Sequence, residues 1–439
     1  MARPSEREPL ADERRRATLL VCVGAKTESA QRAKLPRVNP DSSSPPVDEA
    51  LSLLERGADT LISRDELRQK LERAAKIKQP LRVKLGIDPT APDIHLGFAV
   101  VLRKLRQFQD LGHEAHLIIG DFTAQIGDPS GKSKTRPPLS PEQVRENAAT
   151  YQEQLFKILD KSKTVVHFNG DWLGKMNFAD VIRLASKRTV AQTLEREDFA
   201  RRLEEGKPVH LHEILYPLCQ GQDSVEIKAD VELGGTDQRF NNLVGRELQR
   251  EQGLEAQVVL LMPILVGLDG TQKMSKSLHN YVGISDEPSD QFGKLMSLPD
   301  EAMRMYFTLC TLVPLDEVEG ILAGHPMGAK KRLAREIVAT YHGEEAGRSA
   351  QKAFESQFSH NEAPEEMPSV HLQAGEMSLA ELVKTCFNLS GKEARRRIVA
   401  GAVSVDGEKQ NDPDQKIALK SGLLVKGGKR DWAKVEIGE

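Results

Sequence analysis

An α/β chain built on a parallel sheet, then a helical region, then a small α+β module is the fold class that three observations predict. Short apolar runs alternate with amphipathic helical ones from Leu81 onward, helical periodicity continues alone beyond Asp286, and the segment from Met377 mixes a helical pair with short strand-like runs. At 439 residues the chain exceeds what one core ordinarily organises, so several domains are expected.

Taken in order, residues 1–45 mix charge with Pro, Ser and Asn, show no sustained period and read as a disordered extension. From Val47, Leu51, Leu54, Leu61, Leu67 and Leu71 recur at helical spacings, with Ser63 ahead of Asp65 and Glu66 as an N-cap. Leu81–Gly86 reads as a strand, Val100–Leu111 as a helix and His116–Gly120 as the next strand. That βαβ unit implies parallel pairing, with ligands at the carboxyl ends of the strands. Thr164–Phe168 and Gln257–Leu261 are further strand candidates, and residues 46–286 are taken as one domain. Phe292–Met296, Ala302–Leu309, Leu315–Leu322 and Ala329–Tyr341 are helical, giving a region over 287–358. Residues 359–376, with Pro364, Pro368 and clustered acids, read as a linker, and 377–439 as the last domain.

Composition narrows the function classes. A net charge of −3 gives no global attraction for nucleic acid, so any such role needs a local basic surface. Cys22, Cys219, Cys310 and Cys386 are far apart, which argues against a disulfide framework or a structural zinc site and suits a reducing cytoplasm. The apolar stretch after Arg14–Arg16 is short and follows several acids, so the chain reads as untargeted. No apolar run is long enough for a bilayer, and no protein-bound metal or membrane partner is expected.

Five short motifs carry the chemistry. Gly86-Ile-Asp88-Pro-Thr90-Ala-Pro-Asp93-Ile-His95-Leu-Gly97 follows the first strand and meets a helix start, where backbone N–H groups and the helix dipole favour an anion. Gly127-Asp128-Pro-Ser-Gly131-Lys132-Ser133, followed by Arg136, imitates a P-loop but has three residues between its glycines where a Walker motif needs four. Tyr216, Gln220 and Asp223 share one helix face in an apolar stretch, where they need a satisfying partner such as a small ligand with an ammonium and a hydroxyl. Gly234-Gly235-Thr-Asp237-Gln238 suits a strand end at which a carboxylate accepts from sugar hydroxyls. Lys273-Met-Ser-Lys276-Ser277 offers two ammonium groups on a loop able to close on a polyphosphate. Each alone is compatible with a solvated turn or an internal hydrogen-bond network.

Together, in this order, the HLG loop, GDPSGK, YxxxQxxD, GGTDQ and KMSKS resemble the bacterial tyrosyl-tRNA synthetases, a class I aminoacyl-tRNA synthetase family. YxxxQxxD with GGTDQ points to tyrosine rather than tryptophan. The resemblance implies a Rossmann-like catalytic domain, an α-helical anticodon-binding region and a small C-terminal α+β RNA-binding domain. It implies L-tyrosine, ATP with Mg as the nucleotide counter-ion, and tRNA(Tyr) as partners, a homodimer, and a cytoplasmic location.

Residue by residue, the resemblance implies that Asp223 accepts the phenolic hydroxyl and that Tyr216, Gln220 and Asp128 hold the α-ammonium. Gly86 and Thr123 line the pocket, and Gln238 lies near the carboxylate. Asp88, Gly97 and Asp237 belong to ATP, Asp237 at its ribose. Thr90, His95, Lys132, Arg136, Lys273 and Lys276 meet the phosphates. Two positions depart from the commonest pattern. Phe98 stands where the signature usually has a second histidine, and Lys84 marks a subgroup, since another large bacterial group carries a tyrosine there. The last segment resembles a small RNA-binding module shared with some ribosomal proteins. It holds 12 Lys/Arg against 9 Asp/Glu, and Lys392, Arg395, Arg396 and Arg397 are its phosphate-binding candidates.

Overall fold

The computed structural model of the protein describes residues 46–88, 93–128, 151, 153–359, 367–428 and 431–438. The segment from Val47 is not one continuous helical stretch. Helix Val47–Glu55 ends before Gly57, whose φ of +69° suits glycine, and strand β1 (Thr60–Ile62) follows. Ser63 then caps helix Arg64–Ile77 by accepting from the Glu66 N–H at 3.3 Å, as its position predicts. Leu61, expected on the helix face, therefore belongs to an edge strand.

The main sheet adds β2 (Arg82–Ile87), β3 (Glu114–Ile119), β4 (Thr164–Phe168), β5 (Val231–Gly235) and β6 (Val258–Met262), in the order β1-β6-β5-β2-β3-β4. All neighbours are parallel except the β1–β6 pair. The chain steps outward from β2 to β3 and β4, then returns to the other side of β2 for β5 and β6. This reversal is the switch point of a doubly wound, Rossmann-like sheet, and it opens a crevice at the carboxyl ends of β2 and β5. β3 and β6 are buried almost throughout, as strands covered on both faces should be. Observed strand bounds lie within about two residues of those expected, the ordinary scatter of element ends.

Five helices follow the sheet: Pro288–Met296, Met303–Cys310, Leu315–Leu322, Pro326–His342 and Glu344–Ser359. The last carries few large apolar residues, which is why periodicity gave no sign of it. Phe292, Tyr306, Phe307 and Ile337 join Leu51, Leu105 and Leu260 in one buried cluster, so this region shares the core of the sheet domain. Two cations tie the N-terminal helix into it. Lys104 donates to the carbonyls of Leu54 and Arg56 at 2.9 Å and of Leu53 at 3.3 Å, satisfying the helix end. Arg56 reaches across to the Val313 carbonyl at 2.7 Å.

The C-terminal module has its own core, including Leu379, Leu382, Ile398, Val425 and Val435. Its five-stranded sheet contains Ser369–Leu372, paired parallel to Trp432–Ile437, and Glu376–Ser378 pairs with Lys416–Ala418. The first of these strands, Ser369–Leu372, falls within the stretch expected as linker, and Glu376–Ser378 begins at its last residue. Proline and acids disguised them, yet Val370 and Leu372 supply the alternation that one covered face needs. Among the described residues no helix is long and apolar enough to cross a membrane.

Removing the Lys104 ammonium leaves three helix-end carbonyls without their donor. Lys104→Met is expected to lower unfolding stability by about 2–4 kcal/mol in urea titrations. A loss below about 1 kcal/mol would mean that water replaces the ammonium.

Candidate active site

The loops that follow β2 through β6 all leave the carboxyl edge of the sheet, and they bring the motif residues together there. The helix Leu211–Glu226 contributes Tyr216, Gln220 and Asp223 from one face, as their spacing predicts.

One side of the crevice is a chain of buried and partly buried hydrogen bonds. The Tyr216 hydroxyl donates to Asp88 Oδ2 at 2.9 Å, and Thr123 Oγ1 donates to Asp88 Oδ1 at 3.0 Å. Asn169, in the turn after β4, donates to Thr123 Oγ1 at 3.0 Å and accepts from the Phe122 N–H at 3.0 Å. Gly120 is required by this packing: a Cβ there would lie 2.0 Å from Asp88 Oδ1 and 2.3 Å from Thr123 Oγ1. Asp88 thus groups with Tyr216 and Thr123, although it was expected among the ATP residues. Farther along, Gln238 Nε2 donates to Asp128 Oδ2 at 3.0 Å, and Gln238 Oε1 accepts from Asn241 at 3.0 Å.

Asp223 is 3% exposed and receives the Trp172 indole N–H at 2.9 Å on Oδ1, with Asn169 Nδ2 3.4 Å from Oδ2. Burial pushes its carboxyl up to about 7; the positive charge of Lys84 and the Trp172 and Asn169 hydrogen bonds pull the other way. Lys84 lies on β2 beside Glu232 of β5, its Nζ 2.9 Å from Glu232 Oε1, with exposures of 0% and 1%. The same ammonium donates to Ser224 Oγ at 2.7 Å and to the Gln220 carbonyl at 2.8 Å. Burial and the neighbouring carboxylates Asp88, Asp128 and Asp223 hold the Tyr216 hydroxyl well above its usual range, so it stays a donor.

On the other side, His95 caps the helix Leu96–Asp110, its Nδ1 accepting from the Phe98 N–H at 3.4 Å. Burial, reinforced by the charge of Lys276, lowers its pKa to about 4, so the imidazole is neutral at pH 7. An accepting Nδ1 places the ring proton on Nε2. Phe98 packs edge-on against Tyr151, ring centroids 6.4 Å apart, at the margin of the core. Gly97 N–H points at Met274 Sδ, 3.2 Å away.

Met274, the second residue of the pentapeptide, is buried, while Lys273 is exposed and Lys276 is partly so. Asn280 accepts from the Ser275 N–H at 2.8 Å and donates to the Lys273 carbonyl at 3.2 Å, which fixes the loop around that anchor. Lys276 Nζ pairs with Asp93 at 2.7 Å. Asp237 lies at the exposed end of β5 in the turn Thr236–Gln238.

Of the residues expected from the sequence, Thr90, Lys132 and Arg136 lie outside the described residues. Three of the four phosphate candidates of the C-terminal module are engaged with acids: Arg395 with Asp414, Arg396 with Glu393, and Arg397 with Asp431 and also with the Gly427 carbonyl. Trp172 and Asn169 were missed. The signal was present in Asn169-Gly-Asp-Trp172, a turn at a strand's carboxyl end holding one of only two tryptophans.

Comparison with known proteins identifies the family. Residues 76–359 match the family described as class I tRNA synthetases (W and Y), and residues 360–432 match a tyrosine–tRNA ligase SYY-like C-terminal domain. The chain is 52% identical over 392 residues to a tyrosine–tRNA ligase of Moorella thermoacetica, covering 88% of this chain and 95% of that one. It is 50% identical over 393 residues to the tyrosine–tRNA ligase of Aquifex aeolicus, covering 89% and 99%. The fold is similar to that of a tyrosyl-tRNA synthetase from Archaeoglobus fulgidus solved with L-tyrosine, at a TM-score of 0.55 and 23% identity over 70% of this chain and 100% of that one.

Because the Asp223 pKa rises from 3.8 to about 7 on folding, its protonated form stabilises the ligand-free fold. That contribution is complete below pH 3.8 and lost as pH climbs to about 7. Asp223→Asn should therefore gain stability over wild type progressively between pH 4 and 7 in urea unfolding, then level off. A pH-independent difference would contradict it.

Proposed function

The chain belongs to the class I tRNA synthetases of the tryptophan and tyrosine type, with the activity of a tyrosine–tRNA ligase, and on that premise we propose how its residues divide the reaction. The tyrosine carboxylate attacks the α-phosphorus of ATP, forming tyrosyl-adenylate and releasing pyrophosphate. A ribose hydroxyl at the 3′ end of tRNA(Tyr) then attacks the acyl carbon and releases AMP. Neither step needs a protein nucleophile, so the residues act by position and charge.

The observation that carries the assignment of roles is the buried Asp223 carboxylate, bonded by Trp172 and set on one helix face with Tyr216 and Gln220. Asp223 accepts the phenolic hydroxyl. Phenylalanine leaves that carboxylate unpaired, the kind of rejection for which tyrosine-specific synthetases are the standard illustration. Tyr216, Gln220 and Asp128 hold the ammonium, Gly86 and Thr123 line the pocket, and Gln238 lies by the carboxylate. Asp88, bonded to Tyr216 and Thr123, stands where ammonium and α-phosphate meet.

Asp237 takes the ribose and Gly97 allows close approach of the nucleotide. His95, neutral with its proton on Nε2, donates to the departing phosphates together with Thr90, Lys132, Arg136, Lys273 and Lys276. Mg²⁺ arrives as the counter-ion of the phosphates, which suits an ion that keeps most of its own water and few protein ligands. Lys276 must exchange Asp93 for phosphate as the loop closes. With Phe98 turned to the core, these lysines carry a contact that a second histidine gives elsewhere in the family.

Lys392, Arg395 and Arg396 meet tRNA phosphates, with Arg397 holding the module together through Asp431. The helical region 287–358 contributes to anticodon binding. We infer a cytoplasmic homodimer whose interface covers Phe178 and Ile182, one turn apart on their helix, with Val190 and Leu211, which are 80%, 53%, 63% and 79% exposed.

Tyrosine-dependent ATP–pyrophosphate exchange, with tryptophan and phenylalanine as controls, tests the reading; no exchange at saturating ATP with intact tRNA binding would sink it. Lys276→Ala should cut turnover roughly 100-fold or more while leaving tyrosine affinity nearly unchanged, and equal losses would contradict a role confined to the transition state. Leu211→Asp should convert the dimer to monomer in sedimentation at micromolar protein. An unchanged mass would place the interface elsewhere.

A further inference from the structure

Arg196 is a buried cation that the division of roles above leaves unused. It is 5% exposed, sits at the N-cap of the helix Glu197–Glu204 and belongs to none of the five motifs. Its guanidinium lies 4.9 Å from the centroid of the Phe199 ring and 5.9 Å from that of Phe240, and Nε donates to Asp198 Oδ1 at 2.6 Å. The terminal nitrogens reach toward the crevice. Nη1 donates to Asn241 Oδ1 at 3.3 Å, and Nη2 stands 4.0 Å from Asp128 Oδ1.

From Asn241 the contacts continue. Its Nδ2 donates to Gln238 Oε1 at 3.0 Å and Gln238 Nε2 donates to Asp128 Oδ2 at 3.0 Å, so Arg196, Asn241, Gln238 and Asp128 close a ring. Either amide in that ring could be turned over with little change of shape, and only its neighbours decide which end is oxygen. A guanidinium has donors and no acceptor; a carboxylate has acceptors and no donor. With one at each end, the direction is set. Arg196 takes Asn241 Oδ1, Asn241 offers its N–H to Gln238 Oε1, and Gln238 presents N–H at the far end. Asn241 is 1% exposed, which keeps bulk water from interrupting the sequence.

We propose that Arg196 is a positioning residue for tyrosine activation: acting through Asn241, it sets the Gln238 amide with Nε2 toward the tyrosine carboxylate, and its charge steadies Asp128 for the ammonium. The proposal rests on the reading that Gln238 lies by the carboxylate of tyrosine and Asp128 by its ammonium. The reversed amide would bring Gln238 Oε1 against two carboxylates, that of Asp128 and that of the substrate, with no proton between the oxygens. Such a contact forfeits a hydrogen bond on each side. Arg196 touches no reacting atom and acts from two side chains away.

The test is tyrosine-dependent ATP–pyrophosphate exchange on the full-length protein, with urea unfolding measured beside it. Asn241→Asp keeps the shape and reverses the middle of the ring: the new carboxylate pairs with Arg196 but has no N–H for Gln238, whose amide must turn Nε2 inward. Its kcat/KM for tyrosine should fall by roughly 10- to 100-fold while the ATP KM stays within about twofold and the fold is kept. Arg196→Met should lower the tyrosine kcat/KM by roughly 10-fold, and Arg196→Lys, which restores a cation that only donates, should recover part of that loss. Unchanged tyrosine kcat/KM in both Asn241→Asp and Arg196→Met would overturn the proposal. So would losses that follow unfolding stability across the three variants, or that fall equally on the ATP KM, since a merely structural role gives either. Gln238→Leu separates the two readings. If it lowers the tyrosine kcat/KM while the Arg196 and Asn241 variants do not, the Arg196 proposal alone fails; if Gln238→Leu itself changes nothing, the placement of Gln238 by the tyrosine carboxylate fails.

Discussion

The ion pair between Lys84 of β2 and Glu232 of β5 is the constraint on which the rest of the site depends. Two full charges lie side by side in the interior of the sheet, at the point where its strand order reverses. Such a pair survives in low dielectric only if every remaining hydrogen-bonding position is filled. It is filled from two elements. Ser224 and Gln220 come from the helix Leu211–Glu226, and Gln257, just ahead of β6, donates to Glu232 Oε2. The pair therefore fixes strand pairing and helix placement together, and Tyr216, Gln220 and Asp223 inherit their positions from it.

The two sides of the crevice are built differently. On the proposed amino-acid side, Tyr216, Asp88, Thr123, Asn169, Asp223 and Trp172 are joined in one chain of hydrogen bonds. A network of this kind resists reshaping, as discrimination between tyrosine and phenylalanine requires. The proposed nucleotide side is looser. Buried Met274 anchors the pentapeptide between Lys273, which is exposed, and Lys276, which is partly so. Rigid recognition and adjustable charge thus occupy opposite edges of one switch point. Phe98 belongs to this division, since its ring joins Tyr151 at the core margin and adds no polar group to the nucleotide side.

Much of this was legible in the sequence. The i, i+4, i+7 spacing placed three polar residues on one helix face, and the proline- and glycine-rich loop after the first strand placed His95 at a helix start. What could not be read depends on contacts distant along the chain. Lys84 was legible as a subgroup mark, but its pairing with Glu232 was not, because the partner is 148 positions away, a separation with no local signature. Trp172 reaches Asp223 from another element, and no periodicity links them. Leu61 matched a helical spacing, yet Gly57 and the Ser63 cap divide that stretch, and its backbone pairs with β6 instead. The strand Ser369–Leu372 was hidden by its surroundings and is defined only by its partner Trp432–Ile437.

A crystal structure with L-tyrosine bound tests the central claim most directly. The account predicts the phenolic oxygen about 2.6–3.2 Å from Asp223 Oδ2, with the Trp172 bond to Oδ1 kept and the ammonium among Tyr216, Gln220 and Asp128. A tyrosine whose hydroxyl contacts some other group, leaving Asp223 bonded to Trp172 and Asn169 alone, would contradict it.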